Sequence, residues 1–116
     1  MRYYFVSILL LLIHIFAYGQ NTGSITGKAI DNEKNSIEFV NVFLTSVNDT
    51  TTIVNGTVTD NTGSFAFTNV PLGKYFIQFR FVGFVNHQQS VLLNDANKNI
   101  ELGTIILKQD AIALNA

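Results

Sequence analysis

The residues able to do chemistry are few, and their spacing does not bring them together. The chain has no cysteine, which excludes disulfides, thiolate zinc sites and thiol nucleophiles. Of its two histidines, His14 lies in an N-terminal apolar run. His87 stands alone between Asn86 and Gln88, without the second histidine or acid that a metal cluster or a nucleophile–base pair requires. It reads as a histidine on a strand surface. Glu33, Glu38 and Glu101 are the only glutamates. A glycosidase needs two carboxyl groups flanking one bond, and neither Glu38 nor Glu101 has a carboxylate partner in local register. Asp60-Asn61-Thr62-Gly63 has the look of a calcium loop. Such a loop takes oxygen ligands at alternating positions and a bidentate acid further on, but Phe65 and Phe67 occupy those later positions. The four residues therefore read as turn chemistry, in which Asx side chains bond the backbone ahead and glycine accepts positive φ. No catalytic residue, metal site or cofactor is expected, and the chain reads as a non-enzyme.

The N-terminus reads as an address. Arg2 supplies a short basic region, Phe5 to Ala17 are almost purely apolar, and Ala17-Tyr18-Gly19 puts small residues where a signal peptidase needs them. The thirteen residues of that run fall short of the roughly 20 that span a bilayer. Cleavage is expected before Gln20, leaving residues 1–19 as an export signal. No lipobox exists without cysteine. The 97 residues that remain suffice for one domain. Without Arg2 they carry six basic and eight acidic residues, net −2, so the basic footprint of a nucleic-acid binder is missing. Export without disulfides leaves the fold resting on its apolar core, for which the eight phenylalanines after Gln20 are the main material.

The elements that carry these residues are strands. After a polar lead-in, residues 20–23, apolar alternation marks strands at Ser24–Ile30, Glu38–Thr45, Thr52–Thr59, Ser64–Thr68, Lys74–Val82 and His87–Leu93, and a last one from Ile100 to Leu107. Asp31–Ser36 and Ser46–Thr51 read as polar loops. The Thr-rich part of the second, Asp49–Thr52, offers hydroxyls for O-linked sugar as well as plain solvation. Asp60 and Gly63 turn the third strand into the fourth, which predicts a hairpin. Pro71 and Gly73 make the next break, so the stretch from Gly56 to Phe84 reads as an antiparallel meander. Gly27 suggests a close backbone approach, Gly83 a bend after the fifth strand, and Gly103 a bulge, because the apolar positions change parity across it. Seven short strands with no helical period between them predict an all-β sandwich.

Taken in order, Ile25-x-Gly27-x-Ala29-x-Asp31, Phe39-Val40-Asn41-Val42 and Gly56-Thr57-Val58-Thr59-Asp60-x-x-Gly63-x-Phe65 form one series. Asn69-Val70-Pro71-Leu72-Gly73-Lys74-Tyr75, Val82-Gly83-Phe84 and Leu102-x-x-Ile105-x-Leu107 complete it. The series resembles the carboxypeptidase regulatory-like domain. The resemblance covers residues 24–107 and implies a seven-stranded antiparallel Greek-key sandwich of transthyretin-like form. It also implies a bacterial envelope setting, as the N-terminal extension of an outer-membrane β-barrel protein such as a TonB-dependent receptor. In that setting the sequons at Asn48 and Asn55 are idle. Residues 108–116 then resemble a linker towards a downstream plug and barrel. The catalytic zinc ligands of carboxypeptidases have no counterpart here.

Function must then rest on recognition. Alternation puts Val40, Val42 and Leu44, and Tyr75, Ile77, Phe79 and Phe81, on the core faces of their strands, and Phe39, Phe43, Phe76 and Val82 lie opposite them. They are either covered by strand ends and the second sheet or form an outward docking patch. The partner expected is an envelope protein or the downstream barrel of the same polypeptide, with the isolated domain a monomer in the periplasm or at the outer membrane. The alternative is a free-standing secreted module that binds glycan or protein.

Overall fold

The computed structural model describes residues 21–111; the export signal and the tail after Ala111 lie outside the described residues. Seven strands follow one another: β1 (Thr22–Ile30), β2 (Asn41–Ser46), β3 (Asp49–Val58), β4 (Ser64–Pro71), β5 (Gly73–Arg80), β6 (His87–Leu93) and β7 (Asn99–Ile106). They form a three-stranded sheet, β4-β1-β7, and a four-stranded sheet, β3-β2-β5-β6. The fold is an all-β sandwich.

Alternation places the core between the sheets. Tyr75, Ile77 and Phe79 on β5 are buried, as are Val42 and Leu44 on β2 and Phe65 and Phe67 on β4. Phe65 meets Phe79 across the interface edge-to-face, with ring centroids 5.3 Å apart. Each such side chain contributes about 1.5–3 kcal/mol by leaving water, which takes the place of covalent staples. Gly27 lies beneath the ring of Phe65, which a Cβ there would meet at 2.6 Å. The closest approach is thus an aromatic side chain, with the expected backbone, the Gly103 carbonyl, next at 3.3 Å.

Four expectations are corrected by the strand pairing. The third and fourth strands are not a hairpin, because β3 pairs with β2 and β4 pairs with β1. The turn at Asp60–Gly63 is a corner between sheets. Its Gly63 carbonyl accepts from the Ala29 N–H at 2.8 Å, which delivers Ser64 onto β1 opposite Lys28. The meander fails for the same reason: β5 pairs with β2 and β6, not with β4. Turn residues supply a reversal without saying which sheet receives the next strand. Third, the sandwich is not wholly antiparallel, since β1 and β7 run parallel. The chain between them serves as one long crossover. Fourth, the expected loop after β2 is a tight turn at Val47–Asn48, with Ser46 paired to Asp49. The polar run Asp49–Thr52 belongs to an exposed strand, where Asp49 accepts hydrogen bonds from Thr51 and Thr52.

Smaller differences sit at the ends. Thr22 and Gly23, expected in a lead-in, already pair with Pro71 and Val70. Beyond β7, the Val85 N–H donates to the Lys108 carbonyl and the Asp110 N–H to the Gly83 carbonyl, each at 2.8 Å. The first residues expected in a linker are thereby held against the loop after β5.

Candidate functional site

Ionisable groups come first, since any catalysis would need them. The Asp60 carboxylate accepts from the Thr62 hydroxyl at 2.7 Å and from the backbone N–H groups of Thr62 and Ser64. The Thr62 hydroxyl, with those backbone donors, holds its carboxyl below the usual range. Asp49 is lowered likewise, first by the Thr51 hydroxyl. Both acids are employed in local hydrogen bonds, Asp60 at the corner and Asp49 at the start of β3. His87 shares a 3.0 Å hydrogen bond with the Gln89 amide oxygen, and its ring lies 5.6 Å from that of Phe79. Among the described residues no three His, Cys, Asp or Glu side chains are grouped to hold a metal ion.

The other turn residues serve the corner between β4 and β5. Pro71 ends β4 and Gly73 opens β5; the Pro71 carbonyl accepts the Tyr75 hydroxyl at 2.6 Å. Gly63 sits at φ 77°, where only glycine is at ease.

The outward apolar residues divide into two groups. Residues paired across a ladder point to the same face. Phe43 pairs with Gln78 and Thr45 with Phe76, so Phe43 and Phe76 are diagonal neighbours on the outer face of the four-stranded sheet. Both are half-buried. Phe39 and Val82 lie beyond the strand ends. Phe39 occupies a turn at φ 67° and is 64% exposed, and Val82 is 93% exposed. Glu38 and Phe39 precede β2 because the chain turns there: the Phe39 N–H donates to the Thr59 carbonyl.

The outer face also holds residues that the sequence reading did not single out. Ile53 pairs with Thr45, Gly56 with Phe43 and Val58 with Asn41. Ile53 and Val58 are exposed, as is Leu92 on β6. The guanidinium of Arg80 lies over the Phe43 ring, 5.0 Å from its centroid, a cation–π contact. Between Ile53 and Val58 the missing side chain of Gly56 leaves a shallow groove of about 630 Å³, whose inner end is formed by Phe43 and Arg80. Two signals pointed here. Alternation fails around Asn55-Gly56 because the register shifts between Leu44 and Thr45, and a bare glycine in a β-branched run marks a gap on one face.

No curated protein matches this chain. Solved structures do. BcpA, the major pilin subunit of Bacillus cereus, superposes with TM-score 0.64 at 20% identity, covering 77% of this chain and 30% of the pilin. The group B streptococcus pilus 2b backbone protein gives TM-score 0.60 at 20% identity, covering 82% of this chain and 43% of that protein. The 5-hydroxyisourate hydrolase of Klebsiella pneumoniae gives TM-score 0.53 at 17% identity, with 74% and 86% covered. The chain therefore spans less than half the length of either pilus protein, and at these identities the likeness is one of fold. Sequence assigns the family: its model matches residues 25–116, and the protein belongs to the CarboxypepD_reg-like domain family.

Proposed function

We propose that this chain is a non-catalytic accessory domain of an exported envelope protein: the N-terminal extension of a TonB-dependent receptor or related outer-membrane β-barrel protein, released from its signal before Gln20. The observation that carries this reading is the contrast between its chemistry and its surface. The acids Asp49 and Asp60 are engaged by neighbouring hydroxyl and backbone donors, whereas one sheet face carries uncovered apolar residues around Arg80. Such a face suits recognition rather than turnover. The family supports the domain type, and the fold it shares with pilin subunits supports the envelope setting.

The alternative is a free-standing secreted module that binds protein or glycan. The same likeness favours it, because part of each of two pilus proteins shares this fold. An antibody against residues 21–110, applied to fractionated producing cells, separates the two. A much larger outer-membrane polypeptide whose gel mobility changes on boiling, as β-barrels do, supports the first reading. A protein of this chain's own size in a soluble fraction supports the second. Chelator-sensitive hydrolysis of esters, amides or glycosides by the purified chain would overturn both.

A further inference from the structure

The sandwich has four strand edges, and they are not equally protected. A bare edge is a template for another strand, and proteins usually blunt it with charge, proline or irregular backbone. β4 ends in Pro71 and holds Asn69 at φ 54°, and β7 carries Gly103 at φ 70°. β6 is short, at seven residues. β3 is the longest strand, ten residues, and after Asp49 it holds no charged residue and no proline. Nearly all of it is exposed.

The ladder says which backbone groups face outwards. The Thr59 N–H donates to the Val40 carbonyl, so by alternation the bonded pairs of β2 and β3 are Val42 with Thr57 and Leu44 with Asn55. The N–H and C=O groups of Gly56 and Val58 are left for the open side. The Gly56 N–H is met there by its neighbour's side chain, the Asn55 Oδ1 at 2.9 Å. The groove over Gly56 opens beside these groups, and Arg80 is the one ionisable residue lining it.

We propose that the open edge of β3 and the groove over Gly56 form a recognition site for an extended peptide strand bearing a large apolar side chain and a nearby glutamate. The backbone of the strand pairs with Val58, its apolar side chain fills the gap at Gly56, and its carboxylate meets Arg80. The Arg80 guanidinium reaches over Phe43 on β2, so about two strand spacings, ~10 Å, separate it from an added strand. A glutamate covers only part of that distance, so Arg80 swings from Phe43 towards it, and the shorter aspartate reaches less far. The site goes beyond the accessory-domain reading and holds whether or not a barrel follows.

The test uses the full exported chain and a fluorescein-labelled peptide of about nine residues, alternating threonine and valine with a central leucine and a glutamate on the same face. Anisotropy should show saturable binding. A Cβ at Gly56 meets nothing nearer than 3.9 Å, so Gly56→Leu should fold, fill the groove and weaken binding by about tenfold or more. Arg80→Gln should weaken the glutamate peptide several-fold and leave a glutamine version unchanged. Should Gly56→Leu prove unstable, amide exchange in the unmodified protein decides: peptide should slow the Val58 N–H and leave β6 amides alone. Absence of saturable binding, or equal binding by a folded Gly56→Leu, overturns the proposal. So does a dimer in light scattering that Gly56→Leu dissociates, since a second copy would then occupy the edge.

Discussion

Two buried threonines should answer the same substitution with opposite signs. Thr59 and Thr45 are each 1% exposed. The Thr59 hydroxyl donates to the Ile37 carbonyl at 2.6 Å and accepts from the Val40 N–H at 2.9 Å. The Thr45 hydroxyl is buried without a hydrogen-bond partner. Thr59→Val strands two buried backbone groups, at about 1–3 kcal/mol each. Against this stands a gain of about 1 kcal/mol for replacing a buried hydroxyl by a methyl. The net expectation at mid-range is a loss of about 3 kcal/mol, or roughly 12–24 °C in Tm for a domain of this size. Thr59→Ser keeps both bonds and should lose only about 1 kcal/mol with its methyl. Thr45→Val should be neutral or stabilising by about 1 kcal/mol. Urea denaturation of the three variants measures this directly. If Thr59→Val lost no more than Thr59→Ser, or Thr45→Val fell as far as Thr59→Val, the hydroxyl of Thr59 would not be the pin between the loop before β2 and the end of β3.

Three further outcomes follow from the corners. Gly63→Val places a branched side chain at φ 77° and its Cβ against the Ala29 carbonyl, so it should cost at least about 1–3 kcal/mol, whereas Thr62→Val, at an exposed position, should cost less; equal losses in chemical denaturation would count against the corner. Tyr75→Phe removes the 2.6 Å bond to the Pro71 carbonyl and should lose about 1 kcal/mol. It should also abolish the high-pH titration of a phenol that burial pushes above its ordinary value. Asp60 and Asp49 are lowered in the folded protein, so their stabilising contribution is present above the ordinary aspartate value and lost as pH falls through the folded one. Asp60→Asn should therefore flatten the acid side of the stability–pH profile, and an unchanged profile would contradict the hydrogen-bonded carboxylate.

The strands were legible because alternation is local. Tyr75, Ile77 and Phe79 announce a core face whichever sheet receives it. Partner choice was not legible. Asp60–Gly63 carries the same chemistry in a hairpin as in a corner, and only the bond between Ala29 and Gly63, across more than thirty positions, decides between them. The direction of β7 beside β1 is equally hidden, because side-chain alternation reads the same both ways. At the candidate site, Phe43 and Phe76 were visible as outward aromatics. Ile53 and Val58 were not, since the register shift beside Val54 breaks the pattern that would have marked them. Arg80 carries no local signal within the run Lys74–Val82; only the fold lays it across Phe43.

The parallel pairing of β1 with β7 also determines how the domain bears load. Because the two strands run the same way, the chain enters β1 at one end of the pair and leaves β7 at the other. Tension drawn through the polypeptide therefore slides the strands past each other. The bonds from Ser24–Asn99 through Ile30–Ile106 are loaded together in shear, rather than peeled one at a time. The hold of Gly83 and Val85 on residues 108–110 sits beyond that clamp and should yield first.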